Sequence, residues 1–171
     1  MRVLGVDPGL TRCGVAVVEG DPGRSLRPLY IGVITSDAKS PIQDRLAAVY
    51  AGIEALVGKL SIDMIAIERV FSQHNVRSAM GTAQAGAMAL AIAGQRGIPV
   101  ALYTPTEVKA AITGHGRAGK EQVAAMVVRL LHLDQAPTPA DAADAAAIAI
   151  CQILRGSAQH RINQALAQQR V

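Results

Sequence analysis

RVLGVDPGLTRCGVAVVEG, residues 2–20, is the stretch whose reading decides the fold. RVLGVD at 2–7 is a short, nearly continuous apolar run closed by the turn pair Pro8-Gly9. CGVAVVEG at 13–20 follows at once, so the two runs read as neighbouring antiparallel strands of a hairpin. Working outward, Asp21-Pro22-Gly23 marks a second turn and PLYIGVITS at 28–36 a third strand. Ser40-Pro41 opens a helix with a capping residue and a first-turn proline, and Ile42, Leu46, Val49, Ile53, Leu56, Val57 and Leu60 keep helical spacing. IDMIAIE at 62–68 is a fourth strand, a small-residue helix covers about Asn75 to Gln95, and IPVALYT at 98–104 is a fifth strand. Two or three helices fill the remainder. The order βββαβαβ followed by helices predicts an α/β layer fold, a five-stranded mixed sheet flanked by helices. No internal repeat or low-complexity linker interrupts it. The expectation is one domain over residues 1–156 and a polar, frayed tail over 157–171.

Composition bounds the function. At 171 residues the chain has the size of one ordinary domain able to bury a substantial core. No apolar run reaches the ~18 residues of a membrane span, since Gln84, Gln95 and Arg96 interrupt the longest candidate. No basic-then-apolar leader precedes the first strand, so a cytoplasmic protein is expected. Cys13 and Cys151 lie far apart in apolar segments and read as reduced core thiols. Seventeen Lys and Arg against thirteen acids give +4. If four of those acids hold metal, seventeen bases face nine remaining acids, or +8, which favours a polyanionic partner.

The acids themselves are in the wrong places for a solvated surface. Asp7 ends VLGVD, Glu68 ends DMIAIE, and Asp141 and Asp144 sit in TPADAADAAAIAI. An ionised carboxylate in apolar surroundings costs several kcal/mol unless a cation or hydrogen-bond donors compensate. The crossover helix lets the fourth strand run parallel to the first and beside it, so Asp7 and Glu68 finish at one sheet edge, where open α/β sheets bind ligands. Asp141 and Asp144 are three apart and share a helix face, and their alanine neighbours permit close approach to the sheet. Each acid also has a plainer explanation. Asp7 before Pro8-Gly9 fits a tight turn, Glu68 an ion pair with Arg69 or Arg77, and Asp141 a capping role after Thr138-Pro139-Ala140. Asp144 lies a turn further in, among Ala142, Ala143, Ala145 and Ala146, and has no such explanation. The four together predict a divalent metal site. Hard oxygen donors without a Cys/His cluster select Mg²⁺ or Mn²⁺ over zinc. Two ions ~4 Å apart would activate a water and stabilise a leaving 3′ oxygen, so phosphodiester hydrolysis to 5′-phosphate and 3′-hydroxyl ends needs no side-chain nucleophile.

GVDPGLTRCG, RLAAVYAGI, AIERVF, GHGRAGKEQV and ADAADAAAIAI, in this order, resemble the bacterial Holliday-junction resolvases of the RuvC family from Met1 to about Arg155. DPG alone is shared with sugar kinases and actin-like ATPases, whereas AIERVF together with ADAADA is far more specific. The resemblance implies a ribonuclease-H-like fold and metal ligation by Asp7, Glu68, Asp141 and Asp144. It also implies a homodimer that nicks two opposed strands of a four-way DNA junction in recombination and repair, alongside the branch-migration proteins RuvA and RuvB. It favours Phe71, the only phenylalanine, as an aromatic stacked on an unpaired base over a hydrophobic staple. Lys109 and Lys120 flank TGHGRAGK and match DNA-contact or catalytic positions of the family. His115, Arg117, Arg69, His74 and Arg77 are further candidates for the same groove. Three rival readings stand beside this one: a ribonuclease-H-like nuclease of RNA processing, an actin-like ATPase lobe, and an idle junction-binding module.

Overall fold

The computed structural model describes residues 1–69 and 76–168, with side chains outside the description at 76–78 and 157–168. Its elements follow the sequence order: β1 (Arg2–Asp7), β2 (Arg12–Glu19), β3 (Arg27–Thr35), α1 (Ile42–Leu60), β4 (Met64–Glu68), α2 (Val76–Arg96), β5 (Val100–Tyr103), α3 (Pro105–Thr113), α4 (Lys120–Leu131) and α5 (Ala140–Gln168). The five strands form one sheet in the order β3-β2-β1-β4-β5. β1 pairs antiparallel with β2, with Asp7 opposite Gly14. It pairs parallel with β4, with Val6 opposite Ile67, and β4 in turn pairs parallel with β5. The hairpin, the crossover and the mixed sheet are therefore as the sequence predicts.

One boundary differs in kind. Pro41 occupies the N-cap position of α1 with extended ψ and no side-chain cap hydrogen bond, so Ser40 does not cap the helix. The carbonyl of Pro41 instead accepts from the amides of Asp44 and Arg45. Proline's fixed φ suits the residue just outside a helix as well as the one just inside it, and here the chain turns one residue later.

Strand alternation sorts the core into two layers. Leu4, Val6, Val15, Val17, Ile65 and Ile67 pack with Val49, Ile53 and Val57 of α1 and Ala85, Ala89 and Ile92 of α2. Val3, Ala16, Val18 and Ala66 face the other way, onto α5 and the buried residues of α3 and α4. Because α5 lies between the sheet and these two helices, Ala142, Ala143 and Ala145–Cys151 are all buried, which accounts for an alanine run with no polar face. Two glycines set how closely it docks. A Cβ on Gly5 would overlap the Ala145 carbonyl oxygen, and one on Gly14 would overlap that of Asp141. Strand backbone and helix backbone are thus in direct contact where the acids emerge. Cys13 and Cys151 are free and buried, and burial raises both thiols, to about 11 and about 12, so neither is a nucleophile. Among the described residues no helix is long and apolar enough to cross a membrane.

Candidate functional site

The site is a consequence of parity and register. Val3 and Ala66 face α5, so Asp7 and Glu68, an even number of residues further along β1 and β4, project from the same face. The Val6–Ile67 pairing leaves them side by side at the carboxyl ends of adjacent parallel strands. Asp141 and Asp144 reach the same place from the first turns of α5, held down by the contact at Gly14.

Asp7, Glu68 and Asp144 are each raised in part by a neighbouring acid. Burial first, then the charges of Glu68, Asp144 and Asp141, push the Asp7 carboxyl up to about 7, against a pull downward from Lys120. Glu68 is raised by burial and by Asp144, and lowered by Lys120 and Lys109. Asp144 is raised by burial, with Asp141 adding to the rise and Lys120 and Lys109 opposing it. Elevation of these three marks a cluster short of positive charge.

The cations present supply part of it. Lys120, the first residue of α4, lies 3.8 Å from Asp144 with its side chain 81 % exposed. Lys109 is carried on α3, whose start is fixed by a capping box. Thr104 Oγ1 accepts from the Glu107 amide at 3.2 Å, while Glu107 accepts from the Thr104 amide at 2.9 Å. Arg12 Nε lies 3.0 Å from Asp141 Oδ2. Asp141 therefore spends its carboxylate on a side-chain cation at the mouth of the cleft.

The donor chemistry suits a hard divalent cation: carboxylate oxygens only, in a setting where at least one acid resists ionisation without added positive charge. Among the described residues, however, no three His, Cys, Asp or Glu side chains stand close enough to share one ion as placed. Asp141 and Asp144 are instead paired with Arg12 and Lys120.

The other expected residues divide. Arg69 is exposed directly after β4, its amide donating to the Tyr103 carbonyl at 2.6 Å, and its charge helps lower Glu107. Glu68 has no ion-pair partner among the described residues, so pairing with Arg69 is not what holds it. His115 and Arg117 lie in the loop between α3 and α4, where His115 Nδ1 accepts from the Arg117 amide at 3.1 Å. They line a groove with Gln122, Ala125 and Met126, apart from the acids. Phe71 and His74 lie outside the described residues, as does the side chain of Arg77 in α2.

Arg12 is the residue that the reading of the sequence missed. The signal was available: strand parity puts Arg12 on the same face as Gly14, and Gly14 is the register partner of Asp7. Starting the second strand at Cys13 left Arg12 in the turn and hid it.

Residues 3–152 match the family model described as "Crossover junction endodeoxyribonuclease RuvC". A protein of that name from Streptomyces griseus is 60% identical over 170 residues, covering 99% of this chain and 83% of its own. The solved RuvC of Thermus thermophilus superposes with a TM-score of 0.86 at 34% identity, covering 93% of this chain and 97% of that one. The same protein solved in complex with a Holliday junction substrate gives 0.87 at 33% identity, covering 91% and 94%. The sheet order and flanking helices are those of the ribonuclease-H-like fold, and with a matched model spanning most of its length the chain belongs to the RuvC family of crossover junction endodeoxyribonucleases.

Proposed function

We propose that this chain is a structure-selective endodeoxyribonuclease that resolves four-way DNA junctions by paired symmetric nicks in homologous recombination and repair. The observation that carries the reading is the convergence of Asp7, Glu68, Asp141 and Asp144 at one sheet edge, in a chain that belongs to this family. The Thermus relative bound to a Holliday junction supports the substrate.

In this reading the four carboxylates hold Mg²⁺, with Mn²⁺ as a working substitute, and two ions per site once substrate is present. Bound metal supplies Lewis acidity at the scissile phosphate and a lowered pKa for the attacking water. The rest falls to the chain. Asp7, flanked by Glu68 and the two α5 acids, would be the central ligand, and the negative charge that its neighbours add around it favours a cation there. Lys109 and Lys120 offset repulsion between the acids and an incoming phosphodiester, which would otherwise oppose binding. The products are 5′-phosphate and 3′-hydroxyl ends. Phe71 stacks on an unpaired base near the crossover, and Arg69, His74, Arg77, His115 and Arg117 contribute backbone contacts. Residues 1–156 form the nuclease domain, and 157–171 a polar tail. The working protein is a cytoplasmic homodimer, which brings two sites to symmetry-related strands and acts with RuvA and RuvB.

The experiment is metal-dependent cutting of a mobile four-way junction compared with linear duplex and an RNA/DNA hybrid. Paired nicks confined to the junction are expected. Preferential cutting of the hybrid would replace this reading with the RNA-processing one, and ATP turnover without cutting would replace it with the actin-like one.

A further inference from the structure

A second feature adjoins the acids. The turn between β1 and β2, the start of α1 and the α2 residues Gly81 and Thr82 line an open groove of about 550 Å³, together with Asp141. The groove and the acid cluster therefore share a wall.

Arg45 is held there in an unusual way for this molecule. Its Nε donates to Ser36 Oγ at 3.0 Å and its Nη2 to Thr11 Oγ1 at 2.8 Å. Ser36 Oγ is itself anchored on the Leu10 carbonyl at 2.5 Å. Arg2 and Arg27 pair with Glu19, Arg96 with Glu54 and Arg155 with Glu107, whereas two hydroxyls hold Arg45. Among the described residues no carboxylate stands within ion-pair distance of Arg45. Hydroxyls orient its guanidinium without cancelling its charge, which is the arrangement of an anion-binding arginine rather than a structural one. Arg12 stands beside it with its side chain 60 % exposed, and an ion pair as open as the one it makes with Asp141 is worth little.

Placement names the anion. Asp141 and Asp144 lie one turn apart on α5, with Lys120 at the Asp144 end and Arg12 and Arg45 at the Asp141 end. Cations bracket the acids on both sides, as phosphates bracket a scissile phosphate along one strand. We propose that this groove is a subsite for a backbone phosphate of the cleaved strand, flanking the one that is cut. Arg45 is its fixed anchor, and Arg12 lines the same groove as a second cation. The inference rests on the nuclease reading, since the acids mark where the scissile phosphate lies.

The test measures junction binding against salt concentration in full-length protein carrying Asp7→Asn, so that no cutting intervenes. Adding Arg45→Gln should lower the slope of log K against log salt by about 0.9, the loss of one phosphate contact. Arg45→Lys should restore part of it. Lys59→Gln, at the far end of α1, should leave it unchanged. A scan of single neutral methylphosphonates along the strand supplies the second reading. One position beside the cut should weaken binding in the parent and add no further loss to Arg45→Gln. An Arg45→Gln protein with the parent's melting temperature, affinity and slope would overturn the subsite, as would equal methylphosphonate penalties in both proteins or displacement of the junction by orthophosphate as effective as by a DNA strand. A parent that fails to bind junctions at all would overturn the nuclease reading beneath it. Should Arg45→Gln fail to fold, Arg45→Met, which keeps the aliphatic stem and removes the charge, takes its place in both measurements with the same expected and overturning results.

Discussion

Asp7→Asn should make the metal-free protein more stable at alkaline pH while destroying its activity. The Asp7 carboxyl has its pKa raised from 3.8 to about 7 in the folded chain, mainly by burial and then by the neighbouring acids. A carboxylate raised on folding binds its proton more tightly in the native state, so stability falls as pH climbs from the unfolded value through about 7, then levels off. Applying the linkage relation to that shift, the wild type loses roughly 2.6 kcal/mol between about pH 5 and pH 8 through this group. Asparagine cannot ionise, so the stability difference between variant and wild type should move in the variant's favour by about that amount, on the order of 5–10 °C in melting temperature for a domain this size. Measuring the change between two pH values cancels whatever the amide does to packing. The assay is thermal or urea unfolding of both proteins with EDTA, repeated with Mg²⁺, which should remove much of the wild type's alkaline deficit because bound cation replaces the missing positive charge. A difference between the proteins that stays constant across this pH range would refute the argument that Asp7 sits uncompensated in the empty site.

Three further outcomes are expected. Glu68→Gln and Asp144→Asn should each cut the rate of junction cleavage at least ~10²-fold while junction affinity, measured by gel shift, changes little. Lys120→Gln removes a cation that lowers Asp7, Glu68 and Asp144 alike, so their protons should leave at higher pH. Since metal needs the ionised acids, the pH midpoint of Mn²⁺ binding by calorimetry should rise; an unmoved midpoint would count against Lys120 as their counter-ion. Gly14→Ala places a methyl group against the Asp141 carbonyl and 3.2 Å from Asp7 Cβ, so α5 must lift. It should lose about 1–3 kcal/mol of stability in urea titrations and most of its cleavage, whereas Gly58→Ala, which meets nothing within 4 Å, should do neither.

The parts of this molecule visible in the sequence are those governed by short periods. Alternation along RVLGVD and IDMIAIE, with a helix between them, was enough to predict parallel neighbours and hence that Asp7 and Glu68 end together, as the register has it. Asp144 was legible by elimination, because nothing in an alanine run excuses a carboxylate. Two things were not. The helix start at Pro41 turns on a single residue's choice between equivalent proline positions, which pattern cannot rank. The pairing of Arg12 with Asp141 joins a turn at one end of the chain to a helix near the other, and depends on how closely α5 approaches the sheet. Gly5 and Gly14 set that approach, yet in the sequence they are only glycines inside strands.

The charges around the cleft give the site an order of events. Asp7, Glu68, Asp141 and Asp144 face Arg12, Lys109 and Lys120, so a fully ionised empty site carries one negative charge in excess. A proton on Asp7, whose carboxyl titrates at about 7, is the cheapest way to cancel it. In that state the cleft is nearly neutral and has little pull on a phosphate at its centre, although Arg45 keeps an uncancelled charge at its edge. A divalent cation held by these acids would displace the proton and reverse the sign of the site. A polyanion that first meets the fixed cations at the rim would then be drawn further inward when the acids are loaded. Metal and DNA binding would thereby be coupled through charge.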